Sequence, residues 1–252
     1  MKKVLSTIAL VALLSVQSLF AQGKRTDAQN EHLKGPVSSV LTTTRGTHGQ
    51  MVGQPYRYTF NRNGNFDRTT YYDTLGNPGI VVSYVYDSKG RLLRDVRTRE
   101  PFSELLLQTS YYYDKKTRSL SIESLGIEDS ICDLTLRQYD KKGFLVKSIT
   151  YDDKHTPLGA ITYHNDDQGN WKEIIYEEGA NFLYSGTDVF RYDTDGNIVE
   201  LRTYNLNKLR QTLLFVYDFD EHGNWIHCTI YRVTKTSAEI HQTLTREIDY
   251  FE

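Results

Sequence analysis

Tyr84-Val85-Tyr86-Asp87-Ser88-Lys89-Gly90-Arg91-Leu92 holds a strand, a turn and the start of a second strand. The Asp carboxylate accepts hydrogen bonds from backbone N–H groups further along the turn, and Gly at the fourth turn position takes positive φ without a Cβ clash. A type I turn closed by a left-handed Gly is a common hairpin connection, with a bulge beside it. Tyr84 and Tyr86 are two apart, so both rings lie on one face of the incoming strand.

The same pattern recurs along the chain. Comparable turns occur at Asn61-Arg62-Asn63-Gly64, Asp114-Lys115-Lys116-Thr117, Asp140-Lys141-Lys142-Gly143, Asp166-Asp167-Gln168-Gly169, Asp193-Thr194-Asp195-Gly196 and Asp220-Glu221-His222-Gly223. Their fourth positions, 64, 90, 117, 143, 169, 196 and 223, are separated by 26, 27, 26, 26, 27 and 27 residues. A fixed period of this length marks a repeat architecture. Six residues before the fourth position stand Tyr58, Tyr84, Tyr111, Arg137, Tyr163, Phe190 and Tyr217; four before it stand Phe60, Tyr86, Tyr113, Tyr139, Asn165, Tyr192 and Phe219. Two after it come Phe66, Leu92, Ser119, Leu145, Trp171, Ile198 and Trp225.

Beyond the turn the alternation is less clean. Glu200 shares a parity with Ile198 and Tyr204, whereas Val199 and Leu201 have the other. Weaker turn signals at 73–78, 152–157, 177–181 and 205–208 close the opposite ends of several hairpins. Gly35 to Thr44 reads as a second-strand half-repeat and Ile240 to Phe251 as a first-strand half-repeat. The expected fold is therefore all-β: an antiparallel meander of about 16 strands, seven hairpins plus two half-repeats, in one coiled or partly closed sheet.

The Y-x-Y-D-x-x-G core at Tyr84 to Leu92, and again at Tyr192-Asp193-Thr194-Asp195-Gly196-Asn197-Ile198, resembles the YD repeats of the Rhs and teneurin families. The resemblance covers roughly residues 35–252 and implies hairpins laid side by side in a long sheet. The period is longer than is usual in that family, and no large shell or effector region accompanies it. The chain resembles short exported bacterial variants of the repeat, for which no general activity follows.

Composition excludes several classes. The chain has 252 residues, Lys+Arg 30 against Asp+Glu 32, 38% hydrophobic residues and 19 Tyr. No basic excess supports nucleic-acid binding, and apolar content is too high for disorder. Met1-Lys2-Lys3 followed by an uncharged apolar run to Phe20 reads as a signal peptide, residues 1–21, cleaved after Ala21 or, as second choice, after Gly23. Residues 22–32 read as a flexible lead-in and 33–252 as a single repeat domain. The expected location is exported: periplasmic, surface-associated or secreted. After signal removal no apolar helical span remains.

Chemistry is sparse. The loop from Asp193 has Gly at its fourth position and Tyr204 at its twelfth, which fails the EF-hand pattern. The seven His make no zinc-binding pair. No metal, cofactor or catalytic set is nominated. Asp87, Gly90, Asp140, Gly143, Asp193, Gly196 and Gly223 are structural turn residues. Cys132 and Cys228 fall seven strands apart, roughly 34 Å across an open sheet, so two free cysteines are expected. The Tyr columns read first as core; if exposed, Tyr84, Tyr86, Tyr111, Tyr113, Trp171, Tyr192, Tyr217 and Trp225 would contact a ligand.

The leading functional expectation is a non-catalytic binding or scaffold module of the cell envelope, with a glycan or an envelope protein as partner. One alternative is a polysaccharide hydrolase using carboxylates in the sheet. The other is an outer-membrane β-barrel, against which Arg94, Lys147, Glu173 and Glu200 interrupt candidate lipid-facing rows.

Overall fold

The computed structural model describes residues 26–126, 131–177 and 185–252, the side chains of residues 131–132 excepted. A short helix α1 (Asp27–Asn30) precedes sixteen strands. The first eight are β1 (Val37–Gly46), β2 (Tyr56–Phe60), β3 (Phe66–Tyr72), β4 (Pro78–Tyr86), β5 (Leu92–Arg99), β6 (Glu104–Asp114), β7 (Ser119–Leu125) and β8 (Ile131–Tyr139). The second eight are β9 (Leu145–Tyr151), β10 (Pro157–Asn165), β11 (Trp171–Glu177), β12 (Gly186–Tyr192), β13 (Ile198–Asn205), β14 (Lys208–Phe219), β15 (Trp225–Val233) and β16 (Ala238–Tyr250).

Each strand pairs antiparallel with its chain neighbours, and β1 also pairs with β16 through Val40↔Ile248, Thr42↔Arg246 and Thr44↔Leu244. The sheet is a closed barrel, which overturns the expectation of a coiled or partly closed sheet. The reason lies in the two half-repeats. One is a second strand without a first, the other a first strand without a second, and each satisfies the edge that the other exposes.

The Gly turns act as their sequence requires. Asp87 Oδ1 accepts from the N–H groups of Lys89 at 2.8 Å and Arg91 at 2.9 Å, while the Gly90 N–H reaches the Asp87 carbonyl at 3.0 Å. The Asp140, Asp193 and Asp220 turns repeat this, and Gly90, Gly143, Gly196 and Gly223 all have positive φ. After each of the six Gly turns the register slips by one residue: Val85 faces Arg94, yet Tyr86 faces Leu92. This bulge explains the broken alternation. Ile198 points inward, Val199 is the extra residue, and the inward row resumes at Leu201, which leaves Glu200 and Tyr204 on the outer face.

The Thr117 turn differs. No register slip follows it, Arg118 takes the positive φ of 53°, and Asp114 pairs directly with Ser119. Without the bulge the inward place moves one residue along, to Leu120, which is fully buried. Ser119 in an otherwise apolar column is thereby accounted for.

Inward rings build three linked clusters. One centres on Trp171, Phe190, Leu213 and Ile230, one on Tyr58, Phe60 and Phe66, and one on Leu92, Tyr111 and Leu120. Tyr84 and Leu145 bridge them. Closure also removes the open-sheet premise behind the cysteine separation. Cys228 is free and buried, and burial pushes its thiol up to about 12; the Cys132 side chain lies outside the described residues.

Candidate functional site at the turn mouth

All eight aromatic side chains singled out from the sequence face inward. The hydroxyls of five of them are engaged. Tyr111 donates to Asp95 at 2.6 Å, Tyr86 to Asp27 at 2.7 Å, and Tyr84 shares a hydrogen bond with Thr69 at 2.8 Å. Tyr192 donates to the Trp171 carbonyl at 2.9 Å and Tyr217 to the Ile198 carbonyl at 2.8 Å. Tyr113 lies under the Arg91 guanidinium at 5.4 Å, and Trp225 packs against Tyr217. Phenols that face one another across a closed wall need such acceptors, because a buried hydroxyl without a partner is costly. The columns are lining, not an outward platform.

Beyond this aromatic layer, away from the Gly turns, inward positions become polar. Thr69, Asp95, Thr109, Ser148 and Asp188 are all buried. Asp95 holds Tyr111 and lies 3.7 Å from Arg97; Asp188 accepts from Thr203 at 2.7 Å and Tyr176 at 3.2 Å. Burial raises both carboxyls above the ordinary aspartate range. Asp95 is on β5 and Asp188 on β12, each with its own hydroxyl partners. Among the described residues no cluster of three or more His, Cys, Asp and Glu side chains suits a metal ion.

The Gly-turn mouth is spanned by residues 26–34. Of the expected lead-in over residues 22–32, residues 22–25 lie outside the described residues. Thr26 caps α1, with its hydroxyl accepting from Gln29 N–H and the Gln29 side chain accepting from Thr26 N–H. Ala28 N–H donates to the Gly64 carbonyl at 2.9 Å, and the buried Asp27 carboxylate accepts from Phe66 N–H at 2.9 Å. At the β14–β15 turn, four strands round the ring, Asn224 accepts from Lys34 N–H at 2.7 Å and donates to its carbonyl at 2.8 Å.

Between these anchors the segment inserts one charge. Glu31 meets Arg246 at 3.5 Å, and both side chains are more than nine-tenths buried. The Arg246 guanidinium lies 3.7 Å from the centre of the Trp225 ring, a cation–π contact strengthened by desolvation. A cavity of about 70 Å³ borders Glu31, His32, Tyr56, Trp225, Cys228 and Arg246. Arg246 Nε and Nη1 have no acceptor among the described residues, and the cavity beside them has room for ordered water. This arrangement can lock the mouth.

Solved structures share this architecture. A porin-like protein from Bacteroides uniformis matches with a TM-score of 0.55 at 11% identity, over 86% of this chain and 98% of that one. The likeness is one of fold. A porin-like protein from Bacteroides vulgatus follows at a TM-score of 0.37 and 12% identity, over 82% and 97%. TcdB2-TccC3 follows at 0.27 and 12%, over 80% of this chain and 15% of that one. Scores as low as these last two carry no argument. No protein-family model matches the chain, and no curated protein sequence does.

Sequence reasoning missed the mouth segment and its Glu31–Arg246 pair. The signal was present as Thr26-Asp27-Ala28-Gln29, a capping box three residues long in spacing. The partner Arg246 is 215 residues away, and no local pattern connects the two.

Proposed function

We propose that the chain is an exported, non-catalytic envelope protein that binds or scaffolds through the outside of a water-walled barrel. The carrying observation is the chemistry of the outer face. Arg57 meets Asp249 at 3.1 Å, His164 meets Glu173 at 2.6 Å, and Glu200 is clasped by Arg191 at 3.0 Å and by Arg202. On the wall itself the His164–Glu173 and Arg191–Glu200 pairs cross neighbouring strands, Arg57 reaches over β1 to Asp249, and Arg202 lies beside Glu200 on β13. The lipid-facing band of an outer-membrane barrel is apolar, and a mid-band Arg or Lys there costs about 2–4 kcal/mol. Inside, the tyrosines are consumed as lining, so the binding role moves to the wall and rims. The repeated Y-x-Y-D-x-x-G core supports a YD-type descent for the hairpins.

A second reading, an outer-membrane barrel, is favoured by the closed sixteen-strand sheet and its likeness to a porin-like protein. One experiment separates the two. Envelopes from expressing cells are washed with alkaline carbonate without detergent. Release of the protein supports the water-walled reading; retention until detergent dissolves the membrane supports the barrel that spans it.

A further inference from the structure

The two rims of the barrel differ in kind. At the Gly-turn rim, the third turn position is Asn63, Lys89, Lys116, Lys142, Gln168, Asp195 or His222. At the opposite rim, Asp73-Thr74-Leu75-Gly76 forms the same turn. Asp73 accepts from Leu75 N–H and Asn77 N–H, and Gly76 has positive φ. Yet its third position is Leu75, 85% exposed. Phe102, in the β5–β6 turn, is 86% exposed, and Leu206, in the β13–β14 turn, is 78% exposed.

Leu206 is chosen against local preference. It sits at φ 48° followed by Asn207 at φ 61°, the conformation of a tight hairpin turn that favours Asn, Asp or Gly. A Leu there gains nothing from the fold and costs strain. Leu209 and Ile240 are exposed just behind it on β14 and β16. Basic side chains flank this side: Lys208 and Arg210 beside Leu209, and Lys235 in the next turn. None of the three makes an ion pair among the described residues, and Glu239 is the acid nearest in sequence.

We propose that this rim docks on an anionic lipid surface, with Leu75, Phe102 and Leu206 entering the interface. Strand order places the β5–β6 and β13–β14 turns eight strands apart in a ring of sixteen, on opposite sides of the mouth. A deformable planar apolar phase meets separated tips on both sides at once, and the basic side chains complement its charge. A compact protein partner would need pockets spaced across the whole mouth. The proposal rests on the water-walled reading, because a spanning barrel would bury the wall as well.

The mature full-length protein is sedimented with vesicles of phosphatidylethanolamine and phosphatidylglycerol, and separately with phosphatidylcholine alone. Wild type partitions to the anionic vesicles. Combining Leu75→Ser, Phe102→Ser and Leu206→Asn lowers that partition about tenfold or more with no fall in melting temperature, and Lys208→Gln with Arg210→Gln and Lys235→Gln removes the preference for anionic lipid. Equal binding by the apolar triple variant, or no binding by wild type, overturns the docking. An environment-sensitive dye supplies the direction. On vesicles it shifts to the blue at Leu206→Cys and stays unshifted at Lys142→Cys and at the wall site Thr229→Cys. A blue shift at Thr229→Cys as well would overturn the water-walled reading itself, whereas a soluble, unshifted protein overturns the docking alone.

Discussion

The side-chain amide of Asn165 donates to the Leu145 carbonyl at 2.8 Å. Tyr192 reaches the equivalent carbonyl of the preceding repeat, Trp171, with its phenol. Both residues stand four before the Gly position, and both acceptors stand two after it, beside the bulge. In these two repeats the column carries a donor that reaches the neighbouring repeat, on an amide in one and on an aromatic ring in the other. Asn165→Leu keeps a branched side chain and removes the donor. It should lower stability by about 1–2 kcal/mol in urea unfolding, through a buried carbonyl left without a partner. Asn165→Tyr should recover most of that loss.

The turns should rank by local geometry. Gly90→Ala meets only an ordinary contact, 3.4 Å to Asn65, and should cost about 1–2 kcal/mol for its positive φ alone. At Gly169 a Cβ would fall 2.5 Å from Phe144, so Gly169→Ala should cost more. Arg118→Gly relieves a non-Gly residue at φ 53° and should raise stability by up to about 1 kcal/mol. Thermal melts of the three variants give the order.

Glu31 and Arg246 face each other with both side chains more than nine-tenths buried. Removing one partner of a buried pair leaves an uncompensated charge, a loss of about 3–5 kcal/mol. Glu31→Ala should therefore release the mouth segment. Hydrogen exchange is the measurement: the amides of Ala28 and Lys34 should lose protection, while those of β6 and β7 keep theirs.

Asp95 and the turn aspartates should respond to pH with opposite sign. Burial raises the Asp95 carboxyl in the folded state, so its contribution is most favourable when it is protonated and falls as pH rises from about 4 through the raised value. Asp87 and Asp220, lowered by hydrogen bonds that they accept, stabilise the fold above that range and lose their effect as pH falls. Between pH 8 and pH 4, wild type should gain on Asp95→Asn. Melting temperatures of the two proteins across that range test the sign.

The Cys228 thiol, pushed up to about 12 by burial, should resist iodoacetamide in the folded protein at pH 8 and react once urea unfolds the barrel. Alkylation of Cys228 at the rate of a free thiol in native protein would show the inner wall open to solvent there.

Legibility followed the range of each interaction. The Asp-to-Gly hydrogen bonds, the hairpin count and the inward tyrosines are set within a dozen residues and were readable. The bulge was readable in principle, since Val199 and Glu200 already broke the alternation; its effect on facing was not drawn, and Tyr204, which shares a parity with the inward Ile198, lies outside. Closure depends on Val40 meeting Ile248, a pairing that neither segment specifies alone. Arg94 and Glu200, weighed against an outer-membrane barrel, lie on the outer face and bear on lipid contact and not on closure.

Because the seam joins a half-repeat from each end of the chain, repeat number is converted into circumference. Excising one 26- or 27-residue unit between equivalent turn positions leaves both half-repeats in place. The product keeps an even strand count, so its ends can still meet. A gene encoding such hairpins can thus widen or narrow its ring by unequal recombination, in steps of two strands, without ever exposing an edge.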